Sequence, residues 1–170
     1  SIEARMIAAI VYQAYLLCGE RFDVEQSIGV IVPYRNQISA IRNAIDQYGI
    51  SPLHNISIDT VERFQGSQRD YIIYGFTIQH LWQLTFLSNN TFLEEGAWID
   101  RKLNVAMTRA RLQLTLVGNP DLLSHNVIFQ QLMHYTRSQG SFLRVDTEQF
   151  CKGEFTLSQN TGQSSASHPN

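Results

Sequence analysis

Short runs of β-branched and apolar residues, separated by helical patterns, restrict this chain to few folds. Ile28-Gly29-Val30-Ile31-Val32 has no polar position, as expected of a strand buried on both faces. Pro33 ends it. Ile38, Ile41 and Ile45 then recur at spacings of three and four before Gly49, which predicts an amphipathic helix. Further strands are predicted at Ile56-Ser57-Ile58, at Tyr71 to Phe76 and at Leu112 to Val117, the last closed by Gly118-Asn119-Pro120. Ahead of them, Ile2, Met6, Ile10 and Leu17 predict a helix over 2–17 that Gly19 stops. Asp100 is placed to cap a helix running through Ala110, with Leu103, Ala106, Met107 and Ala110 facing inward. Leu122, Leu123, Phe129, Leu132 and Met133 predict a final helix, and residues 79–98 a hairpin or short helix. Strands alternating with helices imply an α/β fold whose mostly parallel sheet is covered on both faces. Ligands in such folds sit beyond the carboxyl ends of the strands, here after Val32, Ile58 and Phe76.

At 170 residues and 44% hydrophobic content, the chain holds one domain, drawn over 1–145, with an extension over 146–170. From Leu157 onward Ser, Gln, Asn, Thr and Gly offer almost nothing to bury, and a loose tail is expected. The chain begins inside a helical pattern, as a fragment would. With 13 basic and 15 acidic residues its net charge of -2 creates no field that draws in nucleic acid, so any phosphate contact is local. Cys18 and Cys151 form no metal, redox or disulfide spacing, which favours a reducing, cytoplasmic setting. Glu3 and Arg5 interrupt the apolar opening, so neither a signal peptide nor a membrane span is expected. The five histidines show no ligand spacing, and no metal site is expected.

Three segments could carry chemistry. In Lys102-Leu103-Asn104-Val105-Ala106-Met107-Thr108-Arg109-Ala110-Arg111, two arginines lie on a short apolar stretch before a strand. They are either ordinary solvated or ion-paired residues, or donors to an anion. Neither lysine of the chain, Lys102 or Lys152, follows a glycine, so no Gly-Lys-Ser/Thr phosphate loop is present. The second segment is Thr60-Val61-Glu62-Arg63-Phe64-Gln65-Gly66-Ser67-Gln68-Arg69-Asp70, where Gln65 and Gly66 would place an amide and bare backbone near a ligand. Thr60 bonds a phosphate or caps a turn, Arg69 contacts phosphate or pairs with Asp70, and Phe64 reads as core. The third, Pro33-Tyr34-Arg35-Asn36-Gln37, is a helix entry or a place where Tyr34 packs on a nucleotide or strand.

Together, Ile28 to Gln37, Thr60 to Ile73 and Arg101 to Asn119 resemble the second RecA-like domain of superfamily 1 helicases. The branch is that of the RNA-decay and replication-associated 5'-to-3' enzymes. The blocks stand in the family's order over about residues 3–135. The resemblance implies a RecA-like three-layer α/β/α sandwich with a mostly parallel central sheet. It implies ATP with Mg2+ held mainly by a first RecA-like domain that this chain lacks, that domain being the partner within the same parent protein. It matches Arg109 to the catalytic arginine finger and Arg111 to a bracing neighbour at the ATP site. Gln37, Arg35, Gln65, Gly66 and Gln68 are implied on the ATP side, and Thr60, Tyr34 and Arg69 on single-stranded DNA or RNA. The chain departs from the pattern at Ile38, where some members have a phosphate-contacting arginine that Arg35 or Arg42 would have to replace. Gln68 stands where members often have a glutamate suited to the nucleotide sugar.

The reading is therefore the C-terminal motor domain of an ATP-dependent helicase or translocase, inactive and monomeric in isolation, with no membrane partner. A nucleic-acid-binding module from a degenerate helicase is the alternative, and an interaction domain presenting Leu81 to Leu87 is the third.

Overall fold

The computed structural model describes residues 1–64, 67–89 and 91–152. Four parallel strands form the central sheet: β1 (Ile28–Val32), β2 (Ser57–Thr60), β3 (Arg69–Gly75) and β6 (Ala110–Val117), in the order β2-β1-β3-β6. The register aligns Val32 with Thr60, Val30 with Ile73, and Ile73 with Thr115. The chain moves outward one way from β1 to β2 and the other way to β3 and β6, which makes the β1/β3 boundary the switch point of an open α/β sheet.

Period-two alternation divides the strands between two cores. Ile28, Val30, Val32 and Ile73 face helices α1 (Ile2–Cys18) and α2 (Ile38–Asp46), joined by Phe150 of α7 (Thr147–Cys151). Ile31, Ile72, Tyr74 and Phe76 face the other layer, made by α3 (Leu81–Ser88), α4 (Arg101–Met107), α5 (Pro120–Leu123) and α6 (Val127–Gln139). The result is the three-layer sandwich expected from the sequence.

In α1 the Ser1 hydroxyl accepts from the Ala4 N–H at 3.2 Å, and Gly19 ends the helix at φ 55°. By length and composition, residues Ile2–Arg21 are apolar enough to cross a membrane, yet Ala4, Ile7, Ala8, Val11 and Ala14 of this helix lie in the core. The ambiguous region 79–98 contains both alternatives, α3 followed by a hairpin of β4 (Thr91–Glu94) and β5 (Ala97–Asp100). Its tight turn places Glu95 at φ 49° and Gly96 at φ 81°, matching the twist of the two strands.

Several boundaries differ from the sequence expectation; β3 begins at Arg69 and β6 at Ala110, each two residues earlier than expected. β2 extends to Thr60, so that residue is in the sheet and not in the loop after it. The final helix is two, α5 and α6, separated where Asn126 caps α6 by accepting from Ile128 N. α4 stops at Met107, three residues short of the expected end. There the Thr108 hydroxyl donates to Val105 O at 2.7 Å, tightening the last turn, and the Arg69 N–H claims Arg109 O at 2.9 Å. Ala110 fits the helical spacing, but pairing with β3 takes it into β6. Beyond residue 145, α7 packs on α1 and buries Phe150. The tail from residue 157 lies outside the described residues.

Candidate functional site

At the amino-terminal edge of the sheet, Gln26, Ser67, Gln68, Arg69, Arg109 and Arg111 line a polar cleft of about 400 Å³. Gln26 precedes β1, Arg69 opens β3, Arg109 precedes β6 and Arg111 is its second residue, so parallel strands bring them together from far apart in sequence.

Each arginine is held differently. Arg109 sits in the turn after α4, not on the helix, and its Nε is buried without a hydrogen-bond partner. Arg111 is committed to the protein: Nε donates to Asp70 Oδ1 at 2.8 Å, and Nη2 to Gln26 O at 2.7 Å and Gln26 Oε1 at 3.1 Å. A register irregularity between Arg69 and Tyr71 of β3 lies opposite Arg111, at the place where a bulge re-aims side chains. Arg69 is 8% exposed and lies over the Phe64 ring, 5.5 Å from its centroid. It donates to Ser67 Oγ, to Gln68 O at 2.9 Å and to Ser57 Oγ at 3.1 Å, yet its Nε too is buried without a partner. Burial, and after it the nearby Arg111 charge, pull the Arg69 guanidinium below its usual value.

Among the described residues, Arg69 Nε and Arg109 Nε are the buried side-chain polar atoms lacking a partner, and both residues line this cleft. A buried donor left unmade costs about 1–3 kcal/mol. Guanidinium groups lining one polar cleft suit an anion with several acceptor oxygens, and phosphate is the common biological one.

The remaining site residues lie at the opposite, carboxyl edge. Tyr34, Arg35 and Gln37 follow β1, and Thr60 ends β2. Five residues of β1 separate them from the arginine cleft, a distance of roughly 15 Å at strand rise. Thus Gln37 and Arg35 are not brought together with Arg109, whereas Arg69 is.

Lys102 ties this edge together. Its Nζ donates to Pro33 O at 2.7 Å, pairs with Glu62 at 3.4 Å and lies over the Tyr34 ring, 4.4 Å from the centroid. Burial acts to raise the Glu62 carboxyl, but hydrogen bonds from its own backbone and the Thr60 side chain, with the Lys102 charge, bring it below its usual value. The Tyr34 hydroxyl donates to Phe86 O at 2.6 Å. Arg42 is bound within the fold, donating to His54 O and Ile56 O at 2.9 Å each. Gln65 and Gly66 lie outside the described residues. Among the described residues no three His, Cys, Asp or Glu converge on a common point.

Gln26 carries no signal in the sequence. It lies in a polar loop without periodicity, and only its position beside Asp70 and Arg111 reveals it.

Residues 1–121 match the family described as AAA domain. This chain belongs to that family. Its relatives are superfamily 1 helicases. It is similar to the DNA polymerase alpha-associated DNA helicase A of Saccharomyces cerevisiae, 41% identical over 100 residues, which is 58% of this chain and 13% of the relative. It is similar to regulator of nonsense transcripts 1 of Caenorhabditis elegans, 37% identical over 116 residues, 66% of this chain and 10% of the relative. A DNA replication ATP-dependent helicase/nuclease of Arabidopsis thaliana is 31% identical over 144 residues, 85% of this chain and 10% of the relative. This AAA domain chain thus spans about a tenth of the length of the curated relatives it matches.

Proposed function

We propose that this chain is the second of two RecA-like domains in an ATP-dependent helicase or translocase, and that its amino-edge cleft meets ATP held by the first. The observation that carries the reading is the convergence of Arg69 and Arg109, from separate strand ends, on one polar cleft, each with a guanidinium nitrogen that has no acceptor within the fold. The chain has no glycine-preceded lysine, so the grip on the phosphates and Mg2+ falls to the other domain. Arg109 would then be donated across the interface to the charge that develops on the transferring phosphoryl group. Arg111, with Asp70 and Gln26 as its partners, braces the strand ends from which Arg109 projects.

The carboxyl edge, with Thr60 and Tyr34, would face the backbone of single-stranded DNA or RNA; Arg35, implied on the ATP side by the resemblance, joins this edge because it follows β1, and Arg69, implied on the strand side, joins the cleft because it opens β3. Closure of the two domains would change the hold of this edge on the strand.

The alternative, a nucleic-acid-binding module without a hydrolytic role, draws on Gln68. Its amide donates to Thr108 O at 3.3 Å, turned toward its own chain. The test is ATP hydrolysis by the full-length protein. Arg109→Ala is expected to lower turnover about a hundredfold or more with an unchanged melting temperature. Wild-type turnover in a folded Arg109→Ala protein would sink the role given to that arginine. No hydrolysis by the wild type, with strand binding intact, would select the alternative.

A further inference from the structure

Helix α3 is apolar on both sides. Leu84 and Leu87 are buried in the core with Leu123, as the inner face of a surface helix should be. Leu81, Trp82 and Phe86 point outward with exposures of 49%, 63% and 54%, where polar residues are expected. Their rings are ordered among themselves. His80 and Trp82 are nearly parallel, at 10° and 6.4 Å between centroids, and Trp82 meets Phe86 edge-on at 5.9 Å. The start of the ladder is pinned by Gln83, whose Oε1 accepts from Gln79 N at 2.7 Å and His80 N at 2.9 Å.

A continuous line of contacts leads from this ladder to Glu62, two residues after Thr60. The Tyr34 hydroxyl bonds Phe86 O, Lys102 lies over Tyr34, and Lys102 pairs with Glu62. Exposed Arg35 follows Tyr34 in the chain, and exposed Arg101, the neighbour of Lys102, lies over the Phe92 ring, 4.7 Å from its centroid. Solvent-facing rings beside cations are the composition of grooves that hold single strands. Every base has a face to stack and every phosphate a charge to neutralise.

We infer that His80, Trp82 and Phe86 form a stacking platform for the bases of a single nucleic-acid strand whose backbone follows the carboxyl edge past Thr60. The inference rests on the reading of that edge as the nucleic-acid side. The platform tolerates any base sequence, because stacking reads ring faces and not base edges.

The test uses the full-length protein with two labelled probes, an oligothymidine and an abasic sugar-phosphate oligomer of equal length. Trp82→Ala and Trp82→Leu are expected to weaken oligothymidine binding about tenfold, and Trp82→Phe to restore most of it. Affinity for the abasic oligomer and the melting temperature should stay at wild-type values. Wild-type oligothymidine affinity in Trp82→Leu marks the patch as an apolar docking face for protein and overturns the platform. An equal loss on both probes also overturns it; in either case the strand-binding edge survives. A wild-type protein that binds neither probe removes the edge and the platform together.

Discussion

Gly29 shows how a residue with no side chain can support a site. A Cβ built there would lie 2.9 Å from the Phe64 ring and 3.1 Å from Arg69 Cγ, closer than packed carbons approach. The space left by its hydrogen is what allows Arg69 to lie over Phe64 and enter the cleft. Gly29→Ala is expected to cost about 1–3 kcal/mol through overpacking and to displace the Arg69 guanidinium. A fall in melting temperature, with weaker nucleotide binding in the full-length protein, would register both effects. Arg109 and Arg111 show a complementary point. Two residues apart, they have opposite commitments, since one donates through Nε and Nη2 to Asp70 and Gln26 and the other has a buried Nε without a partner. Nothing in their spacing distinguishes them.

Among the elements, α4 is the most consequential, because its first turn serves one edge of the sheet and its exit serves the other. Lys102 lies in the first turn, reaching Pro33 and Glu62 at the carboxyl edge, while Thr108 and Arg109 lead out to the amino edge. A helix of seven residues, Arg101–Met107, therefore couples the candidate nucleotide side to the candidate strand side. Lys102→Met keeps the stem packed on Tyr34 but leaves the buried Pro33 carbonyl without its donor. The expected loss is about 1–3 kcal/mol in urea unfolding. The Glu62 carboxyl should also rise toward its ordinary value, because Lys102 is one of the groups that lower it. An unaltered unfolding midpoint would show that Lys102 is not a tie between these elements.

For the molecule as a whole, Glu3 of α1 links the first helix to the far end of β3. Its Oε1 accepts from Thr77 N at 2.6 Å, and Thr77 has φ 58°, an uncommon conformation for a β-branched residue. Burial, only partly offset by that hydrogen bond, raises the Glu3 carboxyl from 4.5 to about 7. The folded chain thus holds a proton that the unfolded chain has released, and stability must fall as pH rises from about 4.5 to about 7 and then level off. Glu3→Gln, which retains an acceptor for Thr77, should flatten that part of the profile. Chemical denaturation at a series of pH values would measure it, and an identical slope in the variant would remove Glu3 as the cause.

The α/β class, the strands of the sheet and the helices facing them were legible in residues such as Ile28 to Val32 and Ile38, Ile41 and Ile45, because burial imposes a period that composition records. The end of α4 was not legible, since Ala110 satisfies a helical period and a strand period alike and only the neighbouring β3 decides between them. The same limit governs the cleft. The residue pattern marked Arg109, Arg111 and Arg69 as candidates, the family resemblance added Gln68, and parallel pairing set them at one edge with Gln26. It also set Tyr34, Arg35, Gln37 and Thr60 at the other edge. Local chemistry depends on residue type and is written along the chain, whereas which groups meet depends on strand order and direction, which long-range packing alone decides.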